Sequence, residues 1–288
     1  KNIRNRIYEK IKTMIETNFD KYTVSIFGSY VNGLSLPDSD LNLLVLAKDL
    51  TSMALTKKDQ DSLIKNIQQF FLKSNLFSYS ELITKIKTPI IKCNLKESNI
   101  NIELSIYDKR RFNSFNYIDK ILNLFPLMKY LIIILKYSLR QRKLNEVQNG
   151  GASSFLILNL VYYFILHTRK IEKNKEENGE VVINNLGQLL CDFLNFYGFE
   201  FNYKELGFSV RYGGYLYKRE DGGKNKLSFE NFLDINQDLG KAWYKYPNVI
   251  DFFKFARDAL YYPVKSPVDS YLAGFIYPDN ILIDRIKE

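Results

Sequence analysis

Apolar residues at the start of the chain recur at helical spacing: Ile3, Ile7, Ile11, Met14 and Ile15. That spacing predicts an amphipathic helix over residues 1–18. Tyr22 to Phe27 is β-branched or aromatic at most positions and reads as a short strand. A second strand is expected from Asp40 to Leu46, with Asp40, Asn42 and Leu44 on one face because side chains alternate. Beyond a polar loop around Lys48 to Asp61, a second helix carries Leu63, Ile64, Ile67, Phe70 and Phe71 on one side. Residues 77–95 read as extended around Ile90 and Ile91, and Lys96-Glu97-Ser98-Asn99 as a turn. The clearest alternation follows, with Ile100, Ile102, Leu104 and Ile106 opposed to Asn101, Glu103 and Ser105. Helices are expected over Ser114–Asn123, Phe155–Leu166, Leu186–Phe201 and Val249–Leu260. The charged run Thr168–Glu180 reads as a solvated loop and the glycine-rich Arg219–Lys226 as a mobile tip. No internal repeat is present.

Composition narrows the classes. With 288 residues, 46% of them hydrophobic, the chain can bury a large core in one or two domains. A formal charge of +9 suits a polyanionic partner such as RNA, although a lysine-rich proteome would produce the same excess. The two cysteines, Cys93 and Cys191, are far apart, which argues against a disulfide framework or zinc site and for a reducing compartment. The first residues do not read as a signal peptide. The Phe155–Leu166 run is too short to span a bilayer and reads as a buried helix. His167, the single histidine, lies near the end of that helix, where a histidine is more often structural than catalytic. This argues against serine-hydrolase and cysteine-protease triads and multi-histidine metal sites, so carboxylates must carry any metal chemistry.

One stretch organises the candidate chemistry. Phe27-Gly28-Ser29-Tyr30 follows the first strand, and Leu36-Pro37-Asp38-Ser39-Asp40-Leu41-Asn42 leads into the second. Gly28 permits a tight turn and places Ser29 where a helix begins, offering N–H groups and a hydroxyl to a phosphate. Asp40 and Asn42, two apart on a strand beside that turn, are oxygen ligands suited to magnesium-assisted nucleotidyl transfer. Glu103, central on the polar face of its strand, is either a surface residue or a third acid. Lys136 and Arg140 share a helical face, which is either solvated or able to grip a triphosphate. Asn113 is placed to cap the helix that follows it.

The Gly-Ser turn followed by Asp40-x-Asn42 resembles the DNA polymerase β-like nucleotidyltransferase superfamily. The block from Phe125-Pro126-Leu127 through Lys136, Arg140 and Gly150-Gly151-Ala152-Ser153-Ser154-Phe155 resembles the noncanonical, Trf-type poly(A) polymerases and their terminal uridylyltransferase relatives. Phe208-Ser209-Val210-Arg211-Tyr212-Gly213-Gly214-Tyr215 and Leu233-Asp234-Ile235-Asn236-Gln237-Asp238-Leu239-Gly240 are similar to that family's nucleotide-recognition region. The resemblance covers nearly the whole chain. It implies an α+β fold: a mixed-sheet nucleotidyltransferase catalytic (palm) domain over 19–122, and a mainly helical central domain built from 1–18 with 123–288. Nucleotide would bind in the cleft between them.

The same resemblance implies the roles. Asp40, the position of Asn42 and Glu103 would hold two magnesium ions, with manganese as a substitute, and Glu103 would either take the proton of the RNA 3′-hydroxyl or hold the metal that does so. Gly28 and Ser29 would grip phosphate, Asn113 the ribose, and Lys136 and Arg140 the triphosphate. Ser154 and Phe155 would meet the base, with Phe155 alternatively plain core, and Gln237 and Asp238 would lie in the recognition loop. The family carries aspartate where this chain has Asn42, and usually aspartate where it has Glu103. The expected activity is template-independent addition of nucleotides to an RNA 3′ end, from ATP in preference to UTP because the recognition loop lacks a histidine. Asn42 leaves three alternatives open: an engineered replacement that traps substrate, a natural weakening, or a catalytically silent scaffold that binds RNA or protein. A zinc-knuckle RNA-binding protein and a helicase are the partners implied, in the nucleus or cytoplasm.

Overall fold

The structure is a computed structural model and describes residues 2–49, 55–84, 88–98, 100–173, 185–220, 227–262, 270–277 and 279–280. The chain forms two compact units, Lys1–Lys120 and Ile121–Glu288.

The first unit holds α1 (Asn2–Asn18), β1 (Tyr22–Phe27), β2 (Leu41–Ala47), α2 (Lys57–Lys73), β3 (Phe77–Ile83), β4 (Ile90–Leu95) and β5 (Asn101–Ile106). The strands make one mixed sheet in the order β1-β2-β5-β4-β3. β2 and β5 run parallel while every other pair is antiparallel. One face is apolar. Leu41, Leu43 and Val45 of β2, Ile102, Leu104 and Ile106 of β5, and Ile91, Cys93 and Leu95 of β4 share a core with Leu63, Ile64, Ile67 and Phe71 of α2. Cys93 is a free thiol in this layer, and burial pushes its pKa up to about 12.

Several expectations change here. Ile7, Ile11 and Ile15 of α1 lie in this same core, so the first helix packs on the sheet instead of joining the C-terminal region. An amphipathic helix must bury its stripe against some apolar layer, and spacing alone does not name the layer. The extended stretch 77–95 is two strands, β3 and β4, with residues 85–87 outside the described residues. α2 begins inside the expected polar loop, because the Thr56 hydroxyl accepts the Asp59 N–H at 3.2 Å. Ser105, expected on the polar face, is fully buried.

Helix α3 (Lys109–Leu124) begins five residues before the expected Ser114. Asp108 is the reason. Its carboxylate accepts the Arg110 and Arg111 backbone N–H groups at 2.8 and 3.3 Å, and the Thr88 hydroxyl at 2.9 Å. Asn113 therefore sits inside the helix and caps nothing.

The second unit carries α4 (Met128–Gln141), α5 (Ser154–Lys173), α6 (Leu186–Asn195), the hairpin β6 (Leu206–Ser209) and β7 (Tyr215–Lys218), and α7 (Tyr246–Tyr261). Its core is aromatic. Phe193 meets Phe164, Tyr197 and Phe253, while Phe208 stacks near Tyr163 and Phe229. The buried Tyr197 hydroxyl is satisfied by the Leu160 carbonyl at 2.9 Å. His167 packs on Tyr163 and Phe196, as a structural histidine. α5 runs six residues into the expected charged loop, and 174–184 lie outside the described residues. α6 stops at Asn195 and continues as a π turn, Phe196–Glu200. The tip at 221–226 also lies outside them. Among the described residues no helix is long and apolar enough to cross a membrane.

Candidate active site

In the first unit part of the sheet's second face is polar, and register assembles the candidates there. Asn42 of β2 is the Cα partner of Glu103 of β5, Glu103 of Lys92 of β4, and Lys92 of Glu81 of β3. Register partners point the same way, so an amide and three charged groups cross the sheet in one row. Asp40 immediately precedes β2 and, two residues before Asn42, lies toward the same face.

The Gly-Ser turn rests directly on this row. Phe27 is the Cα partner of Asn42, and Gly28 follows at φ +76°, a left-handed conformation that favours glycine. A Cβ at Gly28 would stand 3.1 Å from Asn42 Nδ2, so Gly28 keeps the turn close to the Asn42 amide. Ser29 lies in a three-residue 3₁₀ turn, Gly28–Tyr30, and not at the start of an α-helix.

Glu103 is engaged from above. Arg111 Nη1 of α3 donates to Glu103 Oε1 at 3.2 Å, with both side chains partly buried. Arg111 owes this position to the Asp108 cap, one turn earlier. Burial alone would raise the Asp108 pKa, but bonds from Arg110, Thr88 and two backbone N–H groups bring it down to about 2. Asn113 is exposed on the same helix. Sequence reasoning missed Arg111 and Lys92, whose only signal was their sign beside an acid-bearing strand.

The donor set can be judged on these residues. Asp40, Asn42 and Glu103 offer oxygen ligands of the hard kind magnesium takes. They carry two negative charges, and Arg111 opposes one of them. Among the described residues no group of three histidine, cysteine or acidic side chains could hold a metal. The set fits a divalent cation in ligand type and is one charge short.

In the second unit, Lys136 and Arg140 lie one turn apart on α4. Lys136 is 7% exposed. Arg140 is ion-paired with Asp279, and its guanidinium lies 4.7 Å from the centre of the Tyr137 ring. Asp279, from the far end of the chain, had no sequence signal.

Ser154 is exposed at the head of α5 and Phe155 is half-buried, so Phe155 is not plain core. The glycine pair before them holds this corner. A Cβ on Gly151 would stand 2.5 Å from the Leu144 carbonyl oxygen. That approach lets Ala152 N–H reach Leu144 O at 2.8 Å and Gly151 N–H reach Glu146 O at 2.9 Å.

Gln237 and Asp238 divide their work. Asp238 Oδ1 accepts the Phe229 and Gly240 N–H groups at 2.9 and 2.7 Å, and its Oδ2 accepts the Ser228 hydroxyl at 3.1 Å. It ties the loop from Ser228 to Gly240 together. Gln237 is exposed and lines a concavity of about 440 Å³ with Tyr215, Tyr217, Glu230 and Asn236.

Family models match both units. The model of the mitochondrial-like poly(A) RNA polymerase central palm domain matches residues 1–113, and that of the Cid1 family poly A polymerases matches residues 185–236. The chain belongs to the noncanonical poly(A) polymerase family of nucleotidyltransferases. Among the relatives of this polymerase-family chain, Poly(A) RNA polymerase CID14 of Cryptococcus neoformans is 30% identical over 242 residues, covering 82% of this chain and 31% of that protein. The polymerase core of TRAMP, an RNA surveillance complex, superposes with a TM-score of 0.78 at 24% identity, covering all of this chain and 88% of the other. A Drosophila melanogaster protein named as an inactive poly(A) RNA polymerase, Trf4-2, is 25% identical over 256 residues, covering 82% of this chain and 57% of its own length. The chain spans about a third of the first curated relatives it matches.

Proposed function

We propose that this chain is an RNA 3′-terminal nucleotidyltransferase that adds adenylate from ATP, with its turnover lowered by Asn42. The observation that carries the reading is the Gly28 turn seated on Asn42, itself the register partner of Glu103, in a chain of this family. In the reaction the RNA 3′-oxygen bonds to the α-phosphorus of ATP as the bond to pyrophosphate breaks. Glu103 accepts the hydroxyl proton and passes it to water. Asp40, Asn42 and Glu103 would hold divalent magnesium, which lowers the hydroxyl pKa and offsets developing charge when bound.

Gly28 and Ser29 contact phosphate, and Asn113, exposed on α3, contacts the ribose. Lys136 and Arg140 neutralise the triphosphate; Arg140 must exchange Asp279 for phosphate to do so. Phe155 stacks on the base beside Ser154. Gln237 reads the base edge from a loop that Asp238 holds in shape. The excess of 41 basic over 32 acidic residues favours an RNA substrate, and a partner protein supplies further RNA affinity in a reducing, nuclear setting.

A second reading is a silent scaffold. Asn42 together with the Arg111–Glu103 pair favours it, because each removes negative charge from a cation site. Extension of a labelled oligoadenylate by each of the four nucleoside triphosphates, for the chain beside Asn42→Asp, separates the two. Extension by Asn42→Asp supports the enzyme. No extension by either, with magnesium or manganese, leaves the scaffold.

A further inference from the structure

The hairpin β6–β7 holds a feature that the transfer chemistry does not use. Between its strands, Tyr212 adopts φ +51°, ψ +35°, and Gly213 and Gly214 follow at φ +79° and +83°. Glycine enters the left-handed region at no cost, whereas a bulky tyrosine there is an outlier that surrounding structure must hold in place. Nothing apolar is gained in return, since Tyr212 is 84% exposed.

What the strain accomplishes is presentation. The Arg211 guanidinium lies 5.2 Å from the Tyr212 ring centre, and its Nη2 donates to the Tyr212 hydroxyl at 3.3 Å. Arg211 is fixed in turn, because its Nη1 donates to Glu230 Oε1 at 3.1 Å while the Tyr215 hydroxyl donates to Glu230 Oε2 at 2.7 Å. Glu230 thus brackets an arginine and a tyrosine at the mouth of the concavity that Tyr215 lines. Its own charge is spent on these inward bonds: burial would raise its pKa, yet bonds from Ser209, Tyr215 and Arg211 lower it.

We propose that Tyr212, Arg211 and Tyr215 form a stacking platform for unpaired bases of single-stranded RNA, beside the concavity that Gln237 lines. Aromatic rings and an arginine plane, held open to solvent, are what sequence-tolerant single-strand binding uses. The adjoining concavity of about 440 Å³ admits a base or two. The choice of RNA as occupant rests on the transfer reading above.

The test measures anisotropy of a fluorescein-labelled fifteen-residue oligoadenylate with the full chain, in EDTA and without nucleotide, together with ATP affinity and melting temperature. Tyr212→Gly suits the left-handed backbone, so its melting temperature should equal or exceed that of the parent chain. Its RNA affinity should fall about tenfold, as for loss of one stacked base, with ATP affinity unchanged and with Tyr212→Phe binding as the parent does. RNA affinity unchanged in Tyr212→Gly overturns the proposal and leaves the face to a protein partner. A marked drop in its melting temperature overturns the strain argument and the proposal with it. Transfer is judged separately: RNA binding that needs Tyr212, without extension by Asn42→Asp, sinks the enzyme reading and leaves the platform standing.

Discussion

Asn42 and Glu103 are direct register partners across the parallel pair β2–β5, and the backbone of Gly28 closes over the Asn42 amide. A carboxylate at position 42 would therefore face Glu103 and sit against the Gly28–Tyr30 turn. Asn42→Asp should raise primer extension by two or more orders of magnitude, because it restores one charge to the cation site. An equal rate for both chains would remove Asn42 as the limit on turnover.

Arg111 competes for the same acid. Arg111→Gln frees Glu103 from a partly buried ion pair. Manganese affinity, read by electron paramagnetic resonance on the free protein, should tighten about fivefold. If affinity is unaltered, the pair does not restrain Glu103.

Lys136 is nearly buried on α4, so its ammonium has few roles open to water. Lys136→Ala should raise the Michaelis constant for ATP more than that for RNA, by about tenfold, in the Asn42→Asp background. An effect confined to RNA would refute the triphosphate role.

Asp108 makes a pH-dependent contribution to stability. Its folded pKa of about 2 lies below the ordinary value of 3.8, so the folded state prefers the charged form. The contribution is complete above pH ~4 and is lost as pH falls through ~2. Asp108→Asn should cost about 1 kcal/mol at neutral pH, a figure reduced for solvent screening, by chemical denaturation. The difference between the two proteins should shrink between pH ~4 and ~2. A constant difference across that window would mean that the cap acts through shape and not through charge.

Gly151→Ala tests the corner that sets Ser154 and Phe155. The added methyl would meet the Leu144 carbonyl, so a loss of about 2 kcal/mol and a raised Michaelis constant for ATP are expected together. Loss of stability with nucleotide affinity intact would confine the glycine pair to folding.

Much of this molecule is local, and local features were readable. The alternation through Ile102, Leu104 and Ile106 and the helical stripes of α1, α2 and α7 follow from backbone periodicity, which every residue in an element obeys. The Gly28 turn and the Asp40-x-Asn42 spacing were readable for the same reason: each lies within a few residues of chain. Tertiary structure decided the rest. Which layer α1 covers depends on which apolar surface is nearest once the sheet has formed. Asn42, Glu103 and Lys92 become neighbours through strand register, and no single segment encodes register across β2, β5 and β4. Arg140 meets Asp279, and Glu230 gathers Arg211 and Tyr215, because groups distant in sequence become neighbours only where the fold brings their segments together. The strained Tyr212 lies beyond any spacing rule, since its backbone is held left-handed by contacts that exist only in the folded hairpin.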